Sequence, residues 1–353
     1  MPVPSRFSLP LTAALLLGAA VASAQQTPDS SVLHTRSGPR SRTISLDVVV
    51  TTKPGEPVTG LEKKDFTLLD DKVAREITSF QAVDTSKQPV EAILLIDSVN
   101  TPYTEVAQER NQVERFLQAN GGKLALPTAL AVLGDKGIEM QGSYSRDGKG
   151  LSTALDKYTI GLREIGRASG IQGASERLDD SLKALRTLAL YEAQRPGRKI
   201  ILWVSPGWPL LSGPGIDLSN QQQQALFSEI TWLSTALREA QTTLYAIDPL
   251  GVDEGLGNVF YYQQFLNGVK RPSDVSIGNL GLQVIATQTG GRVLNSTDVA
   301  ALLQQCVADN VAYYRMSFEP PPTETRDIYH PLKVTVGRPG ATAATSTGYY
   351  AEP

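Results

Sequence analysis

The chain has 353 residues, 41% of them hydrophobic and 20% charged, enough to bury a substantial core and ordinary for a globular protein. A formal net charge of -3, with no long block of like charge, offers no basic field for nucleic acid. Cys306 is the single cysteine and His34 and His330 are the only histidines; an intrachain disulfide is therefore impossible, and a zinc site of the usual ligand types cannot be assembled.

Arg6, an apolar run centred on Leu11 to Ala20, and Ala22-Ser23-Ala24 before Gln25 predict a secretory signal peptide over residues 1–24. Pro10 interrupts the run, which falls short of the roughly 20 apolar residues that a bilayer span needs. No later stretch is long and apolar enough to cross a membrane, so the mature protein is expected to be periplasmic or extracellular. Residues 25–42 are polar, with Pro28, Gly38 and Pro39, and read as a flexible linker.

Residues 43–86 read as a small β region. Ile44, Leu46, Val48 and Val50 alternate with Ser45, Asp47 and Val49, a period of two. Lys53 to Pro57 is a turn, and short strands are expected between Val58 and Phe80. A region this small does not hold its own core and must pack on something else in the chain.

Residues 87–311 carry alternating strands and helices, which predicts an α/β domain with a mostly parallel sheet and helices on both faces. Ala92 to Ile96 are apolar without alternation, as in a strand covered on both sides. Val106, Val113, Phe116 and Leu117 share one helical face, which Gly121-Gly122 ends. Ala125 to Leu133 is a second buried strand, reversing at Gly134 to Gly137 into a short antiparallel edge. Ser175 to Tyr191 is a predicted helix with Ser175 as its N-cap. Further strands are expected at Lys199 to Val204, Thr243 to Ile247 and Arg292 to Leu294, with helices through Leu226 to Leu237, Leu282 to Ala286 and Asp298 to Val311. Cys306 falls on the apolar stripe of the last helix and reads as a buried small hydrophobe. Residues 312–353 hold two more strands, Ala312 to Phe318 and Leu332 to Val336, expected to pack with residues 43–86 because each β fragment is too small alone.

The chemistry concentrates where Ile96 runs into Asp97. Ser98, Asn100, Thr101 and Thr104 crowd oxygens into the turn before the next helix, and open α/β sheets bind ligands where strands end and helices begin. The spacing Asp97-Val99-Thr101 resembles the first metal-site motif of von Willebrand factor type A (VWA) domains, Asp-x-Ser-x-Ser, with its middle hydroxyl lost. The chain from Ile44 to the terminal Gly-Tyr-Tyr looks like the exported bacterial VWFA-related proteins. That resemblance implies a Rossmann-like VWA domain inserted in a small β-sandwich built from the N- and C-terminal strands. It also implies a degenerate metal-ion-dependent adhesion site drawn from Asp97, Thr101, Ser175 and Ser205. Ser205 stands where metal-binding members usually have an aspartate, and magnesium prefers octahedral oxygen ligands with carboxylate charge. The alternative is that these oxygens only cap helices and turns.

Two classes of function follow. In one, the chain is a non-catalytic module that binds a protein or surface ligand through a rim of Asn100, Thr101, Tyr103, Ser205 and Trp208, with or without a divalent cation. In the other, Ser205, Asp248 and His330 form a hydrolase triad in α/β-hydrolase order. Against the second, Trp203-Val204-Ser205-Pro206-Gly207 lacks the first glycine of the nucleophile elbow, and Pro206 has no N–H for an oxyanion hole. The residues therefore favour recognition over turnover.

Overall fold

The computed structural model describes residues 43–53, 55–158, 170–208, 218–251, 261–323 and 325–352. The expected leader and linker, residues 1–42, lie outside these. Strand β1 (Ile44–Thr52) buries Ile44, Leu46, Val48 and Val50. Strands β2 (Phe66–Asp70) and β3 (Val73–Arg75) turn about Asp71 and Lys72, both at positive φ (47° and 68°), the handedness that tight hairpins favour. Strand β4 (Ser79–Asp84) follows, and then β5 (Glu91–Asp97), buried from Ala92 to Asp97.

Helix α1 (Tyr103–Gln118) leads through a turn with Asn120, Gly121 and Gly122 at positive φ into β6 (Lys123–Gly134). The short strands β7 (Gly137–Met140) and β8 (Ser145–Asp147) come next, and helix α2 (Gly148–Leu155) is capped by the Asp147 carboxylate, which accepts from Gly150 N at 3.1 Å. Nothing in the sequence pattern announced β8 or α2; three and eight residues are too few to show a period. Helix α3 (Gly170–Ala193) begins upstream of its expected start. Ser175 is thus an interior helical residue and caps nothing. Strand β9 (Lys199–Val204) is wholly buried, helix α4 (Asn220–Glu239) starts in a capping box of Ser219 and Gln222, and β10 (Thr242–Asp248) follows it. Helix α5 (Leu282–Gln288), β11 (Val293–Asn295) and α6 (Val299–Asp309) complete the α/β part. The chain closes with β12 (Ala312–Phe318), β13 (Tyr329–Val336), β14 (Ala341–Ala344) and β15 (Gly348–Tyr350).

The architecture is α/β. A seven-stranded sheet runs β11-β10-β9-β5-β6-β7, with β8 also pairing β6. Its β11, β10, β9, β5 and β6 are mutually parallel, and β7 and β8 are antiparallel additions. Alternate residues of each central strand feed two separate cores. Leu94 and Ile96 pack with α1, α2 and α6, whereas Ile93 and Leu95 pack with α3, α4 and α5. Two-sided burial is why these strands read as unbroken apolar runs; each such side chain is worth about 1.5–3 kcal/mol. Cys306 sits in the first of these cores, fully buried.

Two four-stranded antiparallel sheets, β14-β1-β12-β4 and β15-β13-β2-β3, unite strands from both ends of the described chain. Their apolar residues form a third cluster that includes Leu46, Val48, Leu68, Met316, Phe318 and Val334. Arg315 on β12 reaches across to Asp47 on β1 with Nε–Oδ1 2.8 Å and Nη2–Oδ2 3.2 Å.

Helix α5 approaches β10 so closely that a Cβ placed on Gly291 would lie 1.8 Å from the Leu244 carbonyl oxygen. Gly291→Ala is expected to destabilise the fold by about 2–4 kcal/mol, read as a lower urea midpoint. Gly142→Ala, where a Cβ meets nothing within 4 Å, is expected to change stability by less than about 0.5 kcal/mol.

Candidate functional site

Numbered in chain order, the five parallel strands β5, β6, β9, β10 and β11 lie side by side as 2-1-3-4-5. The order reverses between β5 and β9, and open sheets form their binding crevice outside the carboxyl ends of the strands at such a reversal. Asp97 ends β5 there, and Ser205 follows β9.

The two residues are joined directly. Ser205 Oγ donates to Asp97 Oδ2 at 2.8 Å, and the Trp203 indole N–H donates to the same oxygen at 3.1 Å. Asn100 Nδ2 is a third donor to Oδ2, at 2.8 Å. On the other oxygen, Oδ1 accepts from the backbone N–H of Val99 at 3.0 Å and of Asn100 at 2.9 Å, the aspartate turn that a short carboxylate forms with its own chain. The fully buried Asp97 thus receives five donors, all from β5, β9 and the turns that follow them. Ser205 Oγ in turn accepts from Gly207 N at 3.0 Å, in a turn that uses the positive φ of Gly207 (94°).

Two residues that sequence reasoning missed complete the site. Asn100 Nδ2 also donates to Ser181 Oγ at 2.9 Å, so the α3 hydroxyl at this point is Ser181, fully buried. Ser175 lies six positions earlier on the same helix, about 9 Å away along its axis. On α1, the buried Glu109 faces Asp97, Thr101 and, more distantly, Asp248. Burial first, and the Asp97 charge second, hold its carboxyl protonated well above the usual range, outweighing the Thr101 hydroxyl and Asp97 backbone that favour its charged form. A signal for both was present. Glu109 is three after Val106 and four before Val113, and Ser181 is three after Leu178 and four before Leu185, so each is a polar residue on an apolar helix face.

Other expected site residues do not form a solvent-facing rim. Thr101, Ser205 and Trp208 are buried at 0%, 1% and 2% exposure, and Asn100 is half-buried. The Tyr103 side chain lies outside the described part. Trp208 packs edge-on against Trp203, 5.2 Å between centroids, and donates to the Leu280 carbonyl at 2.8 Å; it anchors its loop. The residues of a hydrolase triad are dispersed. Ser205 bonds Asp97, Asp248 accepts from Leu250 N at 2.9 Å, and His330 Nδ1 pairs with Asp70 at 3.1 Å while stacking on Tyr349 in another sheet.

No family model matches the chain, and no curated protein does.

The donor set also decides how well a cation would fit. A divalent ion needs carboxylate lone pairs directed at it, whereas those of Asp97 meet N–H and O–H groups, and burial disfavours the charged form of the adjacent Glu109. This arrangement does not suit magnesium.

Two outcomes test the site. Asp97→Asn turns one acceptor into a donor facing other donors and is expected to cost about 2–4 kcal/mol in chemical denaturation. Glu109 has a raised folded-state pKa, so its contribution is intact below the unfolded carboxyl pKa of about 4.3 and is lost as pH rises toward its folded value. Glu109→Gln, which mimics the protonated acid, is expected to lift the melting temperature at pH 8 relative to the unsubstituted protein. The gap should close near pH 4.

Proposed function

We propose that the chain is an exported, non-catalytic interaction module, a VWA-like domain mounted on a small β-sandwich, that presents the carboxyl edge of its parallel sheet to a protein or surface ligand. The observation that supports the reading is the hydrogen bond from Ser205 to Asp97 at 2.8 Å. It directs the Ser205 hydroxyl toward a carboxylate already satisfied by its own chain, whereas His330 pairs with Asp70 in another sheet. The polar residues of the crevice then act as a clamp that fixes two loops, and recognition falls to what the clamp displays.

Those displayed positions are Asn100 and Pro102 after β5, Pro206 and Gly207 after β9, and Leu250 after β10, which is 39% exposed. Preformed loops on a rigid sheet edge bind with little ordering cost. An exposed leucine on the same edge as Pro102 and Pro206 fits an apolar contact better than it fits chemistry. The binding surface thus moves from the buried Thr101, Ser205 and Trp208 to the loop crests above them.

The test combines turnover with ligand dependence. The protein and Ser205→Ala are expected to show the same background rate with p-nitrophenyl esters, and millimolar magnesium or manganese is expected to leave the melting temperature unchanged. Ester turnover that Ser205→Ala removes would replace this reading with hydrolysis. A metal-dependent rise would return it to a cation-bridged adhesion site. A partner cross-linked to the protein should be lost with Leu250→Glu while the circular dichroism spectrum stays the same.

A further inference from the structure

A second polar feature lies away from the switch point, where the last turns of α4 meet α5 and the turn leading into β15. Two cavities of about 20 Å³ each share the wall formed by Leu237, Arg238, Thr289 and Ser346. Either exceeds the roughly 10–15 Å³ that one water molecule occupies. They differ in charge. One is bordered by Asp47, whose carboxylate already takes both nitrogens of the Arg315 fork. The other has an apolar side of Ile230, Leu233, Leu280 and Ile285 and a polar lining of Ser234, Asn279, Gln288, Thr289 and Ser346, and Arg238 is the only charged residue among the described residues that line it.

Arg238 is itself unusual. Its side chain is 12% exposed, its Nε is buried with no acceptor, and its closest carboxylate is the outward-facing Glu239, 3.9 Å from Nη2. Glu352 adds a more distant negative field. A buried guanidinium N–H without an acceptor is costly, and burial already pulls this group below the ordinary arginine range. A water molecule would satisfy the N–H but not the charge.

We propose that the cavity between α4, α5 and the turn before β15 binds one small monovalent anion, of the size of chloride or formate, on Arg238 Nε with the hydroxyls of Ser234 and Ser346. The apolar side formed by Ile230, Leu233, Leu280 and Ile285 strengthens the electrostatic attraction, and the volume of about 20 Å³ excludes larger oxyanions such as phosphate. The ion ties the α/β part to the last strand through a charge that neither supplies alone.

The experiment measures melting of the full chain in chloride and in gluconate, an anion too large for the cavity, at matched ionic strength. It is paired with crystals grown in bromide and measured at the bromine edge. A saturable rise in melting temperature of about 2–4 °C in chloride over gluconate, absent from Arg238→Met, and one anomalous peak within hydrogen-bond distance of Arg238 Nε are expected. Equal melting in the two salts, a rise that survives in Arg238→Met, or a cavity holding only water in the bromide crystals would overturn the proposal. Should Arg238→Met fail to fold, the bromide peak in the unsubstituted protein still decides it. The result is independent of what the sheet edge binds.

Discussion

The carboxylate of Asp97 holds the two halves of the parallel sheet's carboxyl edge together. It is fully buried, and a buried carboxylate is tolerated only when its lone pairs are met. Five donors meet them. Two come from its own turn and set the exit of β5. One is the Asn100 amide, which extends the link to α3 through Ser181. The remaining two belong to β9 and the turn after it, so the reversal in strand order is closed by side chains where a related architecture would leave room for a ligand. The turns after β5 and β9 are tied to each other through that one carboxylate.

Charge is arranged differently at the opposite edge. The bidentate Arg195–Glu91 pair, with Nη2–Oε2 at 2.7 Å, and the buried Lys199, whose ammonium donates to the Arg195 carbonyl at 2.6 Å, line the amino ends of the strands. Arg198, 3% exposed, lies over the Tyr313 ring at 5.0 Å and donates to Thr243. Tyr313 belongs to β12 and also packs in the first α/β core. A cation over an aromatic face is thus one of the contacts by which the antiparallel strands are seated under the parallel sheet. Specific polar contacts of this kind fix orientation where apolar packing alone would permit sliding.

Much of this fold was legible in the residues. The unbroken apolar run at Ala92 to Ile96 pointed to two-sided burial and Lys199 to Val204 to a further strand, and helices cover both faces of the sheet at these strands. The antiparallel edge after Gly134 was visible in its glycine turn and appears as β7. Other features were not readable, for identifiable reasons. Ser175 has the residue type of a helix cap, but α3 continues upstream to Gly170, and propensity does not reveal where tertiary contacts extend a helix. Thr101, Ser205 and Trp208 have the composition of a binding rim, yet three-dimensional packing turns them inward. Composition cannot separate a polar group that faces solvent from one that satisfies a buried partner. Glu109 and Ser181 escaped notice because attention to the apolar members of a helix face passes over the polar residue among them. Such a residue is the better pointer to a site, since it is kept there against a desolvation cost.

The pairing of β1 with β12 has a kinetic implication. Asp47 and Arg315 are 268 positions apart, and β2 finds its partner β13 only near the far end of the chain. Loop closure over such a span comes before any reward from the contacts it makes. While the chain is being synthesised, β1 and the outer side of the β2–β3 hairpin must wait as unpaired edges until nearly all of it has emerged. Assembly of the two antiparallel sheets is therefore a closing event, and a chain cut just before Ala312 lacks the strands that pair with β1, β4 and one side of β2.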